Sequence, residues 1–221
     1  MKRRTSPIAV ALATATALAL TACGGKTQQD RAASASPNSA GSSPTSPSAS
    51  TGADSIDRPK MTFPSDFRMV FDRIEPSDAT KAAALGDAEN FIRGINYGIA
   101  QQNAESAAYK FYSAPGSKAQ AYAKDQIQQA VDGSWTITGT QRYTRAKVTL
   151  ADGRTRASVS FCDDDSKYYG RDIKTRKVLT TQPSDTDYYF FEIVMTASKD
   201  VKGLWLAEDL EVQRKATQCR A

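Results

Sequence analysis

Glu208 is the side chain of this sequence best placed for proton transfer. It follows Leu204 and Leu206 in a segment whose alternate residues are apolar, so it is expected on the same face as these leucines. A carboxyl group on the core face of a strand is partly desolvated, which raises its pKa and suits acid–base chemistry. Tyr97 and Tyr122, on two predicted helices, are expected to reach the same pocket as hydrogen-bond donors. The alternative is a structural Glu208 that lies near the open end of the strand or pairs with an arginine.

Three consecutive aspartates, residues 163–165, raise the question of a calcium site. An EF-hand loop needs oxygen ligands at alternate positions, glycine at position six and glutamate at position twelve. Counted from Asp163, these two positions hold Tyr168 and Lys174. The sequence therefore predicts a solvated turn after a strand, with no metal site and no cofactor.

Histidine is absent from the chain, and this excludes several catalytic classes. Without histidine there is no Ser-His-Asp or Cys-His site and none of the usual His-bearing zinc sites. Ser-x-x-Lys, Gly-x-Ser-x-Gly and Gly-rich phosphate-loop motifs are absent as well. Residues 1–22 hold three of the 29 Lys and Arg residues and none of the 24 Asp and Glu residues, so their removal lowers the net charge from +5 to +2. A charge this small, with no basic stripe, argues against a nucleic-acid partner.

Residues 1–22 have the pattern of an export signal. Lys2, Arg3 and Arg4 precede an apolar run that is too short to span a bilayer. Residues 20–23, Leu-Thr-Ala-Cys, resemble the bacterial lipobox, in which a diacylglyceryl group is attached to the cysteine and cleavage occurs just before it. The resemblance implies a lipid on Cys23, the membrane as a partner, and a place on the extracytoplasmic face of the cell membrane. The alternative is an ordinary signal peptide with an accidental cysteine.

Lipidation of Cys23 would leave an even pair of cysteines, Cys162 and Cys219. In an exported chain such a pair predicts a disulfide bond. On the chain-entropy estimate, closing a loop of this length stabilises the fold by roughly 4 kcal/mol. The alternative is two free, buried thiols.

The chain divides into a signal over 1–22, a Ser- and Pro-rich tether over 23–60 and a single domain over 61–221. The tether has almost nothing apolar to bury, so it is predicted to be disordered. Within the domain, hydrophobic periodicity and capping residues predict one short strand and then three helices. The strand covers about 67–71, and the helices run from Ser77 or Asp78 to about Asn103, over 104–112, and over 117–131.

From Ser134 onward the apolar residues recur with a period of two, which predicts strands. Asp152 and Gly153 suit a two-residue type I′ turn, and pairing outward from that turn places Val148 opposite Ala157. A later strand, over 187–198, is apolar on both faces. Its second face is predicted to contact a protein partner or a second copy of the chain, unless a loop covers it. The residues of this face are Tyr188, Phe190 and Val194.

Helices followed by antiparallel strands define an α+β order. The stretches "LTAC", "GSWTITGTQRY", "ASVSFCDDDSKYYGRDIKTRKVL" and the terminal "QC" are similar to those of small tethered lipoproteins of Gram-positive bacteria. The arrangement also resembles the cone-shaped α+β superfamily of nuclear transport factor and ketosteroid isomerase, in which a curved sheet wraps a long first helix around a tapered pocket. The resemblance implies N-terminal helices packed in the concave face of a curved antiparallel sheet, with one disulfide.

Three functions remain open at this point. The first is a noncatalytic module that binds a protein or a small apolar ligand at the cell envelope. The second is an acid–base enzyme of the isomerase or dehydratase type that uses a pocket carboxylate and a tyrosine. The third is a structural component of the envelope. A tapered pocket with converging polar groups would favour a ligand binder or an enzyme, whereas a filled cone would favour a protein partner.

Overall fold

A computed structural model describes residues 56–72 and 74–220 of the chain. The predicted export signal, Cys23 and nearly all of the predicted tether lie outside the described residues. The fold class is α+β, as predicted, with three helices packed against a mostly antiparallel sheet and one disulfide bond.

The helices begin where capping side chains satisfy the free N–H groups of the first turn. Asp78 accepts hydrogen bonds from the backbone of Thr80 and Lys81, and Ser117 accepts one from Gln120. The long first helix buries its apolar stripe of alternating three- and four-residue steps against the sheet. The helices are α1 (Ala79–Gln101), α2 (Ala107–Phe111) and α3 (Lys118–Asp132).

The six strands form one sheet in the order β1-β2-β3-β5-β6, with β4 paired to β3. β1 runs parallel to β2, and all other neighbours are antiparallel. The strands are β1 (Phe67–Phe71), β2 (Trp135–Leu150), β3 (Arg156–Asp172), β4 (Val178–Leu179), β5 (Tyr188–Ala197) and β6 (Trp205–Arg214).

The helices attach to the sheet through apolar packing and buried polar contacts. Asp87 of α1 is 2% exposed, and its carboxylate accepts a hydrogen bond from the backbone N–H of Trp205, at 2.8 Å. α2 lies so close to α1 that a Cβ atom on Gly94 would be only 2.8 Å from the backbone of Tyr109. These contacts fix α1 across the sheet, and with it every side chain that α1 directs toward the strands.

The β2–β3 hairpin differs from the predicted register by two residues. Val148 pairs with Val159, not with Ala157, which pairs with Leu150. The turn is longer than two residues: the backbone N–H of Ala151 donates to the carbonyl of Arg156 at 3.0 Å, and within this loop Gly153 and Arg154 adopt positive φ, at 76° and 55°. A slip of two residues leaves Val148 and Ala157 on their predicted face. Farther along β2 a bulge between Thr144 and Lys147 changes the face, so that Tyr143 and not Thr144 lies in the core.

Cys162 and Cys219 form the predicted disulfide bond. Around it, Ala216 and the two cysteines make a small second core, against which Tyr188 and Phe190 pack. The guanidinium of Arg220 lies over the ring of Tyr188, 5.6 Å from its centroid. The C-terminal segment of the chain thus covers part of the predicted contact face of β5.

Val194, the third residue of that face, is half-buried, like Tyr188 and Phe190, and pairs with Asp209 across the sheet. A protein partner or second copy at this face stays a prediction. No helix within residues 56–72 and 74–220 is both long enough and apolar enough to cross a membrane.

Candidate functional site

A cavity of about 530 Å³ lies between α1, α3 and the face of the sheet that these helices cover. Its volume is within the range of pockets that hold small organic molecules. α1 supplies an apolar wall of Ile92, Ile95 and Ile99, which fall on one face because they are three or four residues apart. The sheet adds Phe191 and Val212.

Polar side chains from both helices and four strands converge on the same space. Among them Gln129 and Arg214 are exposed, so they mark the opening of the cavity, whereas Asp163 is only 2% exposed and marks its inner end. The polar and aromatic lining consists of Asn96, Tyr122, Gln126, Gln129, Trp135, Gln141, Tyr143, Asp163, Asp165, Tyr168, Tyr189 and Arg214.

Asp163 and Asp165 form a carboxyl pair at the inner end of the cavity. The predicted solvated turn at residues 163–165 is wrong, because β3 continues to Asp172 and pairs on both sides at this point. Residues two apart in a strand point to the same face, and this face is the one covered by the helices. This position on the core face could have been predicted from the sequence, because Asp163 and Asp165 continue the alternation of Val159 and Phe161.

One hydrogen-bonded chain connects the carboxyl pair to α1. Gln141 donates from Nε2 to Asp163 Oδ2 at 3.2 Å, and Asn96 donates from Nδ2 to Gln141 Oε1 at 3.0 Å. The hydroxyl of Tyr168 donates to Asn96 Oδ1 at 3.4 Å. These contacts fix the two amides, so Gln141 presents its donor to the carboxyl pair.

Two carboxylate oxygens are left without a hydrogen-bond partner. Asp163 Oδ1 and Asp165 Oδ1 are buried, and within the described part of the chain neither has a donor. A buried acceptor without a donor costs about 1–3 kcal/mol, and more when it is charged. The arrangement is therefore unfavourable unless the groups bind protons or a ligand.

Burial raises the pKa of Asp163 well above its ordinary value, and the charge and hydrogen bond of Asp165 raise it further. Burial also raises the pKa of Asp165, to about 7, although hydrogen bonds with Gln141 and Asp163 act to lower it. Two neighbouring carboxyl groups in a low-dielectric site do not both ionise readily, so the pair retains a proton near neutral pH.

Four tyrosines surround this pair as neutral hydrogen-bond donors and apolar surfaces. Burial raises the pKa of each, most strongly for Tyr143 and Tyr168, so all four hydroxyl groups keep their protons at physiological pH. Tyr143 is held in place by its neighbours, because its ring stacks on Phe71 with the centroids 4.5 Å apart. The remaining tyrosines are Tyr122 and Tyr189.

Of the candidates named from sequence, only Tyr122 lines the cavity. Tyr97 lies elsewhere on α1, where its ring makes an edge contact with Phe63 at 6.2 Å. Glu208 differs from its expected place on the core face. Its carboxylate pairs with Arg156 at 3.1 Å, and its side chain is 42% exposed.

A β-bulge explains the position of Glu208. Ala207 pairs with Met195, but Asp209 pairs with Val194, so Glu208 is an extra residue in β6. Before the bulge Trp205 and Ala207 are buried, and after it the core contacts pass to Leu210 and Val212. The sequence alternation could not reveal this change of face.

Within the described ranges, no group of three or more His, Cys, Asp or Glu side chains is arranged to hold a metal ion. Two carboxyl groups and an amide remain at the inner end of the cavity. Their chemistry is hydrogen bonding, proton exchange and the binding of positive charge.

The comparison with known proteins finds weak likenesses to solved structures and no match of sequence. No protein-family model matches the chain, and no curated protein matches it. The intermembrane-space region of the chloroplast protein ARC6 is similar at 12% identity and a TM-score of 0.35, over 59% of this chain and 96% of that one. A putative ketosteroid isomerase from Shewanella frigidimarina is similar at 11% identity and a TM-score of 0.34, over 61% and 97%. Likenesses at this level do not define a function.

Proposed function

We propose that this protein is an extracytoplasmic binding module for a small, largely apolar molecule, tethered to the membrane through a lipid on Cys23. The cavity between α1, α3 and the sheet is the observation that carries the proposal. It combines an apolar wall with a few converging polar groups, the usual composition of a small-molecule site.

The energetics of the cavity support a ligand over a purely structural role. Larger side chains at Ile95 or Ile99 would fill the space and add buried apolar contacts. The fold instead keeps the space open and places an ionisable pair with unpartnered oxygens beside it. Clusters of perturbed ionisable groups in a cleft are typical of functional sites.

The tether and the disulfide support the proposed location. Disulfide bonds persist in oxidising compartments outside the cytoplasm, and the Cys162–Cys219 bond fits such a place. The lipobox-like residues 20–23 and the Ser- and Pro-rich stretch after them fit a domain held away from a membrane surface. A protein partner at the open part of the β5 face, around Val194, is compatible with this arrangement.

An acid–base enzyme is the second candidate, and one observation favours it. Asp165, whose pKa burial raises to about 7, would exchange protons readily near neutral pH, as a general acid or base does. Asp165 would then take the role first expected for Glu208, and Tyr122 would keep the donor role that the sequence suggested for it.

The proposal is tested by titrating the protein with N-phenyl-1-naphthylamine, a neutral dye whose emission rises in apolar surroundings. Gln126 of α3 lines the cavity, so Gln126→Trp should fill part of it and weaken dye binding at least tenfold. Gln128→Trp is the matched control, because Gln128 lies on the same helix outside the cavity and should retain wild-type affinity. Equal binding by both variants would mean that the dye site is elsewhere, and no binding by the wild type would refute the proposal.

A further inference from the structure

The inner end of the cavity lacks a positive charge. Buried carboxylates are normally paired with Lys, Arg or a metal ion, because an isolated buried charge is costly. Within residues 56–72 and 74–220, neither Asp163 nor Asp165 forms an ion pair. The donor that contacts Asp163 is the neutral amide of Gln141.

We propose that the ligand of this cavity is an organic cation, with its ammonium group against the Asp163–Asp165 pair and its apolar body against the isoleucines of α1. This inference rests on the proposed binding function and specifies the chemical class of its ligand. Asp163 Oδ1 and Asp165 Oδ1 are the acceptors left open for the ammonium protons. One positive charge balances the single negative charge of a carboxyl pair that retains one proton.

The aromatic lining favours the same class of ligand. Tyr122, Tyr168, Tyr189 and Trp135 all line the cavity. The faces of aromatic rings attract cations, and the attraction is stronger where water is excluded. An ammonium ion can thus exchange hydration for carboxyl oxygens and ring faces, whereas an anion would meet only repulsion at the inner end.

Arg214 is the cationic side chain of the cavity lining, and it is at the opening. Because its side chain is exposed, water and salt screen its charge. It does not supply the charge that the buried pair lacks. It would disfavour a ligand with a second positive group at the opening, so the ligand is expected to carry one charge.

The test compares two probes of nearly equal shape, 4-phenylbutylamine and 4-phenylbutanol, by isothermal titration calorimetry at pH 7.5. The amine carries a positive charge at this pH and the alcohol does not. We expect the wild-type protein to bind the amine at least tenfold more tightly. The double variant Asp163→Asn/Asp165→Asn removes the negative charge of the pair and should reduce this preference to twofold or less while retaining the alcohol. Asp164→Asn is the matched control, since Asp164 lies between them in β3 and does not line the cavity.

The outcomes separate this inference from the proposed function. If N-phenyl-1-naphthylamine binds but the amine has no advantage over the alcohol, the cationic ligand is wrong and the binding function stands. If the preference for the amine persists in the double variant Asp163→Asn/Asp165→Asn, the carboxyl pair is not its source and the inference fails. If neither probe nor the dye binds to the wild-type protein, the proposed function itself is wrong.

Discussion

Asp165→Asn should stabilise the ligand-free protein at neutral pH. In the folded protein burial raises the pKa of Asp165 to about 7 and that of Asp163 well above its ordinary value. In the unfolded chain both carboxyl groups titrate near their ordinary values, close to pH 3.9. The contribution of this pair to the unfolding free energy is therefore fully present below about pH 4 and is lost as the pH rises through the pKa of the folded pair.

The size of the effect follows from the gap between the two pKa values. For Asp165 the gap of about 3 pH units corresponds to about 4 kcal/mol of unfolding free energy lost between pH 4 and pH 7. Asparagine at 165 cannot ionise, and it also removes the charge that raises the pKa of Asp163. Most of this loss should then disappear, which corresponds to a rise of roughly 10 °C in Tm at pH 7 for a domain of this size.

Urea denaturation followed by tryptophan fluorescence, from pH 4 to pH 8, measures this effect. Asp164→Asn serves as the control, and its stability should follow the wild-type curve across the whole range. Wild type and Asp165→Asn should agree near pH 4 and diverge as the pH rises. Parallel curves for these two proteins would refute the reasoning, because the carboxyl pair would then carry no strain at neutral pH.

Three further predictions concern the anchor, the disulfide and Glu208. Cys23→Ala should move the protein from the membrane fraction to the culture medium, and immunoblots of the two fractions check this; continued retention in membranes would contradict the lipid anchor. Cys219→Ser should lower the unfolding free energy by roughly 4 kcal/mol in urea titrations, because the loop back to Cys162 is no longer closed; an unchanged midpoint would contradict it. Glu208→Gln should leave dye affinity unchanged, since its carboxylate pairs with Arg156 outside the cavity; a large loss of affinity would place Glu208 at the site after all.

The helices and the start of the strand region could be predicted because local signals decide them. Asp78 and Ser117 are good N-capping residues, and α1 and α3 begin directly after them. The change of apolar period at Ser134 coincides with the start of β2 at Trp135. In these segments propensity, capping and burial all favour the same structure.

The carboxyl pair was partly readable from the sequence. Continuing the alternation of β3 beyond Phe161 places Asp163 and Asp165 on the core face. Three adjacent charges are nevertheless more typical of a solvated turn, and here tertiary pairing overrides that preference. Asp164 lies between two neighbours, opposite Arg142 of β2 and Tyr188 of β5, so the strand cannot end at this point.

The bulges could not be predicted, and they decide which side chains reach the cavity. Gln141 of β2 lies opposite two residues of β3, Asp165 and Ser166. This extra residue in β3 brings Tyr168 to the same face as Asp163 and Asp165. The extra residue at Glu208 shifts the core face of β6 from Trp205 and Ala207 to Leu210 and Val212, so the alternate leucines do not predict the face on which Glu208 lies. Both insertions depend on the register of long-range pairs, which the alternation of side chains within one strand does not encode.

A crystal structure of the protein soaked with 4-phenylbutylamine tests the central claim most directly. The account predicts the phenyl ring against Ile92, Ile95 and Ile99, with the nitrogen within hydrogen-bonding distance of Asp163 or Asp165. A cavity closed by the protein's own side chains, or an amine bound only at the outer surface, would contradict it.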